Sequence, residues 1–291
     1  MSKVMNGSDK LGTYYIIITC RNSEDKIKDA INSLKKQTIQ PEYVVVIDDG
    51  SKDKTGEILK DAQKEWGKLY IITNPDLGYN IGRVVSNWNK AINLVNELNF
   101  IKTDYHMLST DDTIYEDHYV EKIIRRMEQN KNLAIVSGTY DDNTYVTPHG
   151  AGRLVRNSFF NKCGGVYPEK MGYESAILHM ATQHGYTYEI LNEARFVHTR
   201  ELGTNHHFYE FGASMRTLGY NPVFVFGRFC VYFIKGKPIG RMGAIYMLYH
   251  YLKYKPKKDG YDSMYDKKFR DFIRSTQKGR MIRMIGKITG W

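Results

Sequence analysis

Cysteine is scarce in this chain: Cys20, Cys163 and Cys230 are three among 291 residues, an odd number without metal-ligand spacing. Neither a disulfide framework nor a zinc site is indicated, and a reducing compartment, the cytoplasm, is the simple expectation. Long apolar runs are missing too. No stretch approaches the roughly 20 uninterrupted apolar residues of a membrane span, and the opening MSKVMNGSDK lacks the apolar core of a secretory signal. Two phosphate-binding signatures are also absent: no G-x-G-x-x-G follows the first strand-like run, and no G-x-x-x-x-G-K-[ST] occurs. Phosphates would have to be held by side chains and a metal.

With 42% hydrophobic residues the chain can build a real core, as one large domain or a domain with an appendage. Its net charge of +10 is unevenly spread. Residues 228–291 carry 16 Lys and Arg against 4 Asp, which leaves 26 basic and 28 acidic residues before them. A nucleic-acid protein would set that charge among base-stacking aromatics on its folded surface, so no nucleic-acid partner is expected. Here the basic residues follow a Tyr-rich apolar segment, Met242 to Leu252, whose composition suits a surface-lying helix.

The first half alternates strand-like and helix-like patterns. Tyr14 to Thr19 is a continuous β-rich run, and Glu24 to Lys36 follows with helical spacing at Ile27, Ala30, Ile31 and Leu34. Tyr43 to Ile47 is a second buried strand, ending in the turn Asp48-Asp49-Gly50-Ser51, and Thr55 to Trp66 reads as another amphipathic helix. Leu69 to Thr73, a helix from about Ile81 to Glu97, and Tyr105 to Ser109 complete the series. Such alternation implies a parallel sheet with helices on both faces and ligands beyond the carboxyl ends of the strands. Thr19-Cys20-Arg21-Asn22, Asp48-Asp49, Arg83 and Asp111-Asp112 should then line one crevice.

Asp111 and Asp112 stand out in the segment HMLSTDDTIY, residues 106–115, because an apolar approach delivers two adjacent carboxylates to a strand end. Paired like charges are costly unless something positive joins them, and a divalent cation carrying a phosphate is one answer. The other is a helix cap ahead of Glu116 to Met127.

The blocks Ile16 to Asn22, Ser33 to Thr38 and Val45 to Thr55 resemble the family 2 glycosyltransferases, whose fold is called GT-A, over that family's whole nucleotide-binding half. The resemblance implies an α/β fold, a Rossmann-like nucleotide-binding mixed sheet flanked by helices. A GT-A domain over 1–230 is expected, its nucleotide-binding half about 12–115 and its acceptor half about 116–230, followed by a basic, partly amphipathic helical extension over 231–291. It implies that Thr19, Arg21, Asn22 and Asp49 surround the nucleotide, with Arg83 near the base or diphosphate. Ser109-Thr110-Asp111-Asp112 corresponds to the Asp-x-Asp motif, with Ser109 where the first acid usually stands. Asp111 and Asp112 would share ribose and metal contacts, in either order.

The second half should build the acceptor side. Leu133 to Gly138 reads as a strand, Asn157 to Cys163 as a short helix, and Gly172-Tyr173-Glu174-Ser175 opens a helix through Met180. Glu174 sits where the family places its catalytic base, although Ser175 follows where a second acid is common. His198 is implied as a metal ligand and Arg200 as a diphosphate clamp, with His206 and His207 read as loop residues.

The activity implied is inverting transfer of a sugar from a nucleotide-diphosphate sugar, UDP-linked by preference, to a glycan or lipid-linked glycan, assisted by Mg²⁺ or Mn²⁺. A non-catalytic relic that binds sugar nucleotides or scaffolds a glycan-assembly complex is the alternative. The basic extension would meet an anionic membrane, peripherally, at its inner face, or pack on the domain as an ordinary helix.

Overall fold

The computed structural model describes residues 11–97, 101–140, 147–200 and 208–289. Eight strands form one sheet in the order β3-β2-β1-β4-β7-β6-β8-β5. Its first half is β1 (Tyr14–Cys20), β2 (Val44–Asp48), β3 (Leu69–Thr73) and β4 (Tyr105–Thr110), all parallel. Continuous runs of β-branched residues suit strands buried on both faces, and every residue of β2 is buried. Alternation divides β1 between two cores. Tyr14, Ile16 and Ile18 meet α1 (Ile27–Lys35), α2 (Thr55–Glu65) and α4 (Tyr119–Gln129), while Tyr15 and Ile17 meet α3 (Gly82–Glu97), α5 (Asn157–Lys162) and α6 (Tyr173–Gln183). Each fully buried Ile or Leu here contributes about 1.5–3 kcal/mol.

The sheet is mixed rather than wholly parallel. β7 (Arg153–Arg156) runs antiparallel to both β4 and β6 (Leu133–Thr139), and β8 (Thr187–His198) joins β6 on one side and the short β5 (Thr113–Tyr115) on the other. α1 also starts later than expected. Asn22 adopts a left-handed backbone, φ 48°, and Glu24 is taken into a loop-to-loop lattice. Asn22 N donates to Ser51 Oγ at 2.9 Å, Lys52 N to Asn22 Oδ1 at 2.9 Å, Glu24 N to Asp53 at 3.1 Å, and Lys54 N to Glu24 at 2.9 Å. The loops after β1 and β2 thus hold one another.

Beyond α7 (Tyr209–Thr217) come α8 (Pro222–Lys235), α9 (Gly240–Lys253) and α10 (Lys267–Thr289). They share a third core with α6 and α7, built on Ala176, Met215, Leu218, Tyr251 and Phe269. The boundary expected near residue 230 falls inside α8. The Met242–Leu252 segment forms most of α9 and packs along one side: Gly243, Ala244, Met247 and Tyr251 are buried, whereas Met242, Tyr249 and Leu252 are exposed. Among the described residues no helix is long and apolar enough to cross a membrane.

Candidate active site

The carboxyl ends of β1, β2 and β4 lie side by side, with Cys20 in register with Asp48 and Thr19 with Thr110. Polar residues in the turns that follow are therefore brought to one edge. Asp48 is buried and caps its own turn, accepting from Ser51 N at 2.9 Å and Ser51 Oγ at 2.6 Å. Asp49 faces α3, where Arg83 donates to both of its oxygens, Nε at 3.1 Å and Nη2 at 2.9 Å to Oδ2. Burial alone would raise the Asp49 pKa, but hydrogen bonds from Arg83, Asn87 and Asn74 outweigh it and hold the carboxyl below its usual range. Arg21 donates to the carbonyls of Asp49 and Gly50 and to Asp76 at 2.7 Å, so it pins the turn that presents Asp49.

Asp111 and Asp112 occupy the β4–β5 turn, both buried at 7% and 9% exposure, so they do not cap α4, which begins only at Tyr119. Ser23, fully buried at the end of the β1 loop, donates its hydroxyl to Asp111. Asp112 accepts from Thr110 Oγ1 at 2.6 Å. Pairing of β5 with β8 sets Thr113 opposite His198, which puts the imidazole Nδ1 3.1 Å from Thr113 Oγ1 and 3.6 Å from Asp112. Arg200, two residues on, reaches Asp111 at 3.3 Å and Asp112 at 3.9 Å. Burial lifts the Asp111 pKa above its ordinary value despite Ser23 and Arg200. Burial also works against Asp112, yet His198 and Thr110 hold it down to about 2.

Ser109 takes no part in this group. It is 1% exposed and shares a hydrogen bond of 2.9 Å with Tyr115 beneath the turn. The donor chemistry of Asp111, Asp112 and His198 suits a divalent cation, but the Arg200 guanidinium stands on both carboxylates. Among the described residues no group of three His, Cys, Asp or Glu side chains is arranged to hold a metal. A cation would fit here if it arrived with phosphate oxygens and displaced that guanidinium.

Glu174 lies in the first turn of α6, behind Gly172 at φ 89°. Arg153 locks that turn in place. Its side chain is 1% exposed and donates to three carbonyls, those of Pro148 at 2.8 Å, His149 at 2.8 Å and Glu174 at 3.0 Å. The Glu174 carboxylate lies against Gly150, where an added Cβ would stand 2.5 Å from Oε1.

Glu210, on the first turn of α7, is a second acid, to which sequence reading assigns no role. Burial, and then the charge of Glu174, raise its pKa to about 7. The field of Glu210 reaches Tyr79 together with that of Arg200, and both acids act on Tyr261, whose ring lies against Gly82 at the start of α3. The two glutamates thus act on tyrosines that flank the start of α3, the helix that carries Arg83. The signal for Glu210 was faint, a lone acid ahead of 48 residues, 211–258, without another.

The family model described as "Glycosyl transferase family 2" matches residues 15–216. Among curated proteins the chain is 28% identical to an uncharacterized glycosyltransferase of Haemophilus influenzae, over 43% of this chain and 35% of that protein. It is 23% identical to the uncharacterized glycosyltransferase EpsJ of Bacillus subtilis, over 64% and 51%. It is 25% identical to a poly-beta-1,6-N-acetyl-D-glucosamine synthase of Staphylococcus epidermidis, over 42% and 27%. The matched part thus spans about a quarter to a half of these relatives. In fold, the structure resembles the mannosyltransferase PcManGT of Pyrobaculum calidifontis, solved with GDP-Man and Mn²⁺, at TM-score 0.56 and 12% identity over 84% of this chain and 70% of that one. It also resembles S. aureus TarS residues 1–349, solved with UDP, at TM-score 0.51 and 14% identity over 82% and 70%.

Proposed function

The chain belongs to glycosyl transferase family 2, and on that footing we propose that it moves a sugar from a nucleotide-diphosphate sugar to an acceptor hydroxyl, inverting the anomeric centre. The observation that carries this reading is the assembly of Asp111, Asp112, His198 and Arg200 beyond β4, beside the Asp49–Arg83 pair. Two proteins of the same fold were solved with GDP-Man and Mn²⁺ and with UDP, which supports a nucleotide-sugar donor and a divalent ion.

Thr19, Arg21, Asn22, Asp49 and Arg83 form the nucleotide end in this proposal, Asn22 acting through the loop it stabilises. Arg200 serves as the diphosphate clamp, a guanidinium being well matched to phosphate oxygens. Asp111, Asp112 and His198 would hold Mg²⁺ or Mn²⁺, which when bound neutralises charge on the leaving diphosphate. Glu174 takes the proton from the acceptor hydroxyl as the oxygen attacks. Glu210, its pKa raised to about 7 by burial and by Glu174, carries only part of a second negative charge beside Glu174 near neutrality. The acceptor is a glycan or lipid-linked glycan, and a lipid-linked one sets the enzyme at the cytoplasmic face of the membrane.

A panel of sugar nucleotides with Mn²⁺, with and without acceptor glycans, tests this proposal. One donor should be consumed, and Glu174→Gln should lower transfer by roughly 10²–10⁴-fold with donor affinity intact. Transfer that survives in Glu174→Gln removes it as the base. The burial of Ser109 away from the paired aspartates favours a second reading, a binding-only relic, which would take up nucleotide without turnover of any donor.

A further inference from the structure

The outer surface of the helices beyond the matched family region breaks the usual rule for surface helices. α8 has 14 residues, of which only Val225 is buried. Val223, Phe226 and Ile234 lie outward on it, exposed by 68%, 57% and 74%. The only charge between Val223 and Ile234 is Arg228, and it turns inward onto the rings of Tyr220 and Phe224. α9, packed beside α8, repeats the pattern: Met242, Tyr249 and Leu252 follow helical spacing on the side opposite its buried residues, exposed by 58%, 52% and 68%. An ordinary amphipathic helix would show water a charged face there.

Charge indicates what covers this surface. The 48 residues from Phe211 to Lys258 contain nine Lys or Arg and no Asp or Glu. Lys235, Lys237 and Arg241 are exposed around the α8–α9 turn. A second copy of the chain would bring the same unanswered cations together, which repel. Lipid phosphates answer them, and neither helix is long and apolar enough to cross a bilayer.

We propose that the outward faces of α8 and α9 form a docking surface for an anionic lipid bilayer, the apolar stripes entering the headgroup boundary and the basic turn meeting phosphates. This deepens the membrane part of the function proposed above, and its test needs neither donor nor acceptor, so the two can fail separately. The full chain should be floated with vesicles of phosphatidylcholine alone and of phosphatidylcholine with phosphatidylglycerol. Binding to the anionic vesicles should be stronger by on the order of tenfold or more, and should weaken with salt. Phe226→Glu with Ile234→Glu, and separately Lys235→Glu with Arg241→Glu, should each lose on the order of tenfold. All four side chains are exposed, so thermal midpoints should stay within a few degrees of the parent. Equal partitioning to both vesicles, or binding unchanged in both variants, overturns the proposal. So does light scattering that shows a dimer broken by Phe226→Glu with Ile234→Glu and no vesicle binding by the parent.

Discussion

Arg153 donates to the backbone carbonyl of Glu174 at 3.0 Å, so a buried guanidinium on β7 sets the position of the first turn of α6. The same group holds the carbonyls of Pro148 and His149. Arg153→Lys keeps the charge but not the planar fork, and leaves buried carbonyls without donors. A loss of about 2–4 kcal/mol of stability is expected in denaturant titration. An unchanged midpoint would show that the fork does not hold this turn.

Gly150 offers a gentler perturbation of the same acid. A Cβ there would press on the Glu174 carboxylate at 2.5 Å, the mobile end of a side chain rather than backbone. Gly150→Ala should therefore leave the thermal midpoint nearly unchanged while kcat falls on the order of tenfold and donor Kd holds. Equal effects on Kd and kcat would place the disturbance at the donor instead.

Glu210 makes stability depend on pH with a definite sign. Its native pKa of about 7 lies above the ordinary 4.5, so its contribution is full below about pH 4.5 and is lost as pH rises through 7. Up to about 3 kcal/mol is at stake across that window. Chemical denaturation from pH 5 to 8 should show the decline, and Glu210→Gln should flatten it. A variant that retains the full slope assigns the titration to another group.

Arg83 donates to both carboxylate oxygens of Asp49, at 3.2 Å to Oδ1 and 2.9 Å to Oδ2, and so ties α3 to the turn after β2. Asp49→Asn breaks that fork. Calorimetric Kd for the nucleotide should rise on the order of tenfold, with kcat at saturating donor little changed. Unaltered affinity would take Asp49 out of the donor end.

Much of the sheet was legible in the sequence because buried parallel strands read as unbroken β-branched runs. The expected strands over Tyr14–Thr19, Tyr43–Ile47, Leu69–Thr73 and Tyr105–Ser109 lie within a residue of β1 to β4 at each end. What stayed hidden depended on partners far along the chain. The three residues of β5 carry no periodicity of their own and become a strand only by pairing with β8, so Asp111-Asp112 could equally be read as a cap. Ser23 looks like an ordinary loop serine, and its hold on Asp111 spans 88 positions. Arg153 reads as a surface charge until β7 carries it inside, onto the carbonyls of Pro148, His149 and Glu174.

The ladder between β5 and β8 acts as a reading frame for the phosphate end of the crevice. Neighbouring residues on a strand face opposite sides, so one residue inserted in β8 would put Val197, now half exposed to solvent, in the place of His198 beside Asp112, and one deleted would put Thr199 there. Arg200 would move off the carboxylates by the same step. Length changes in that strand, as much as substitution of any acid, are thus what this site can least absorb.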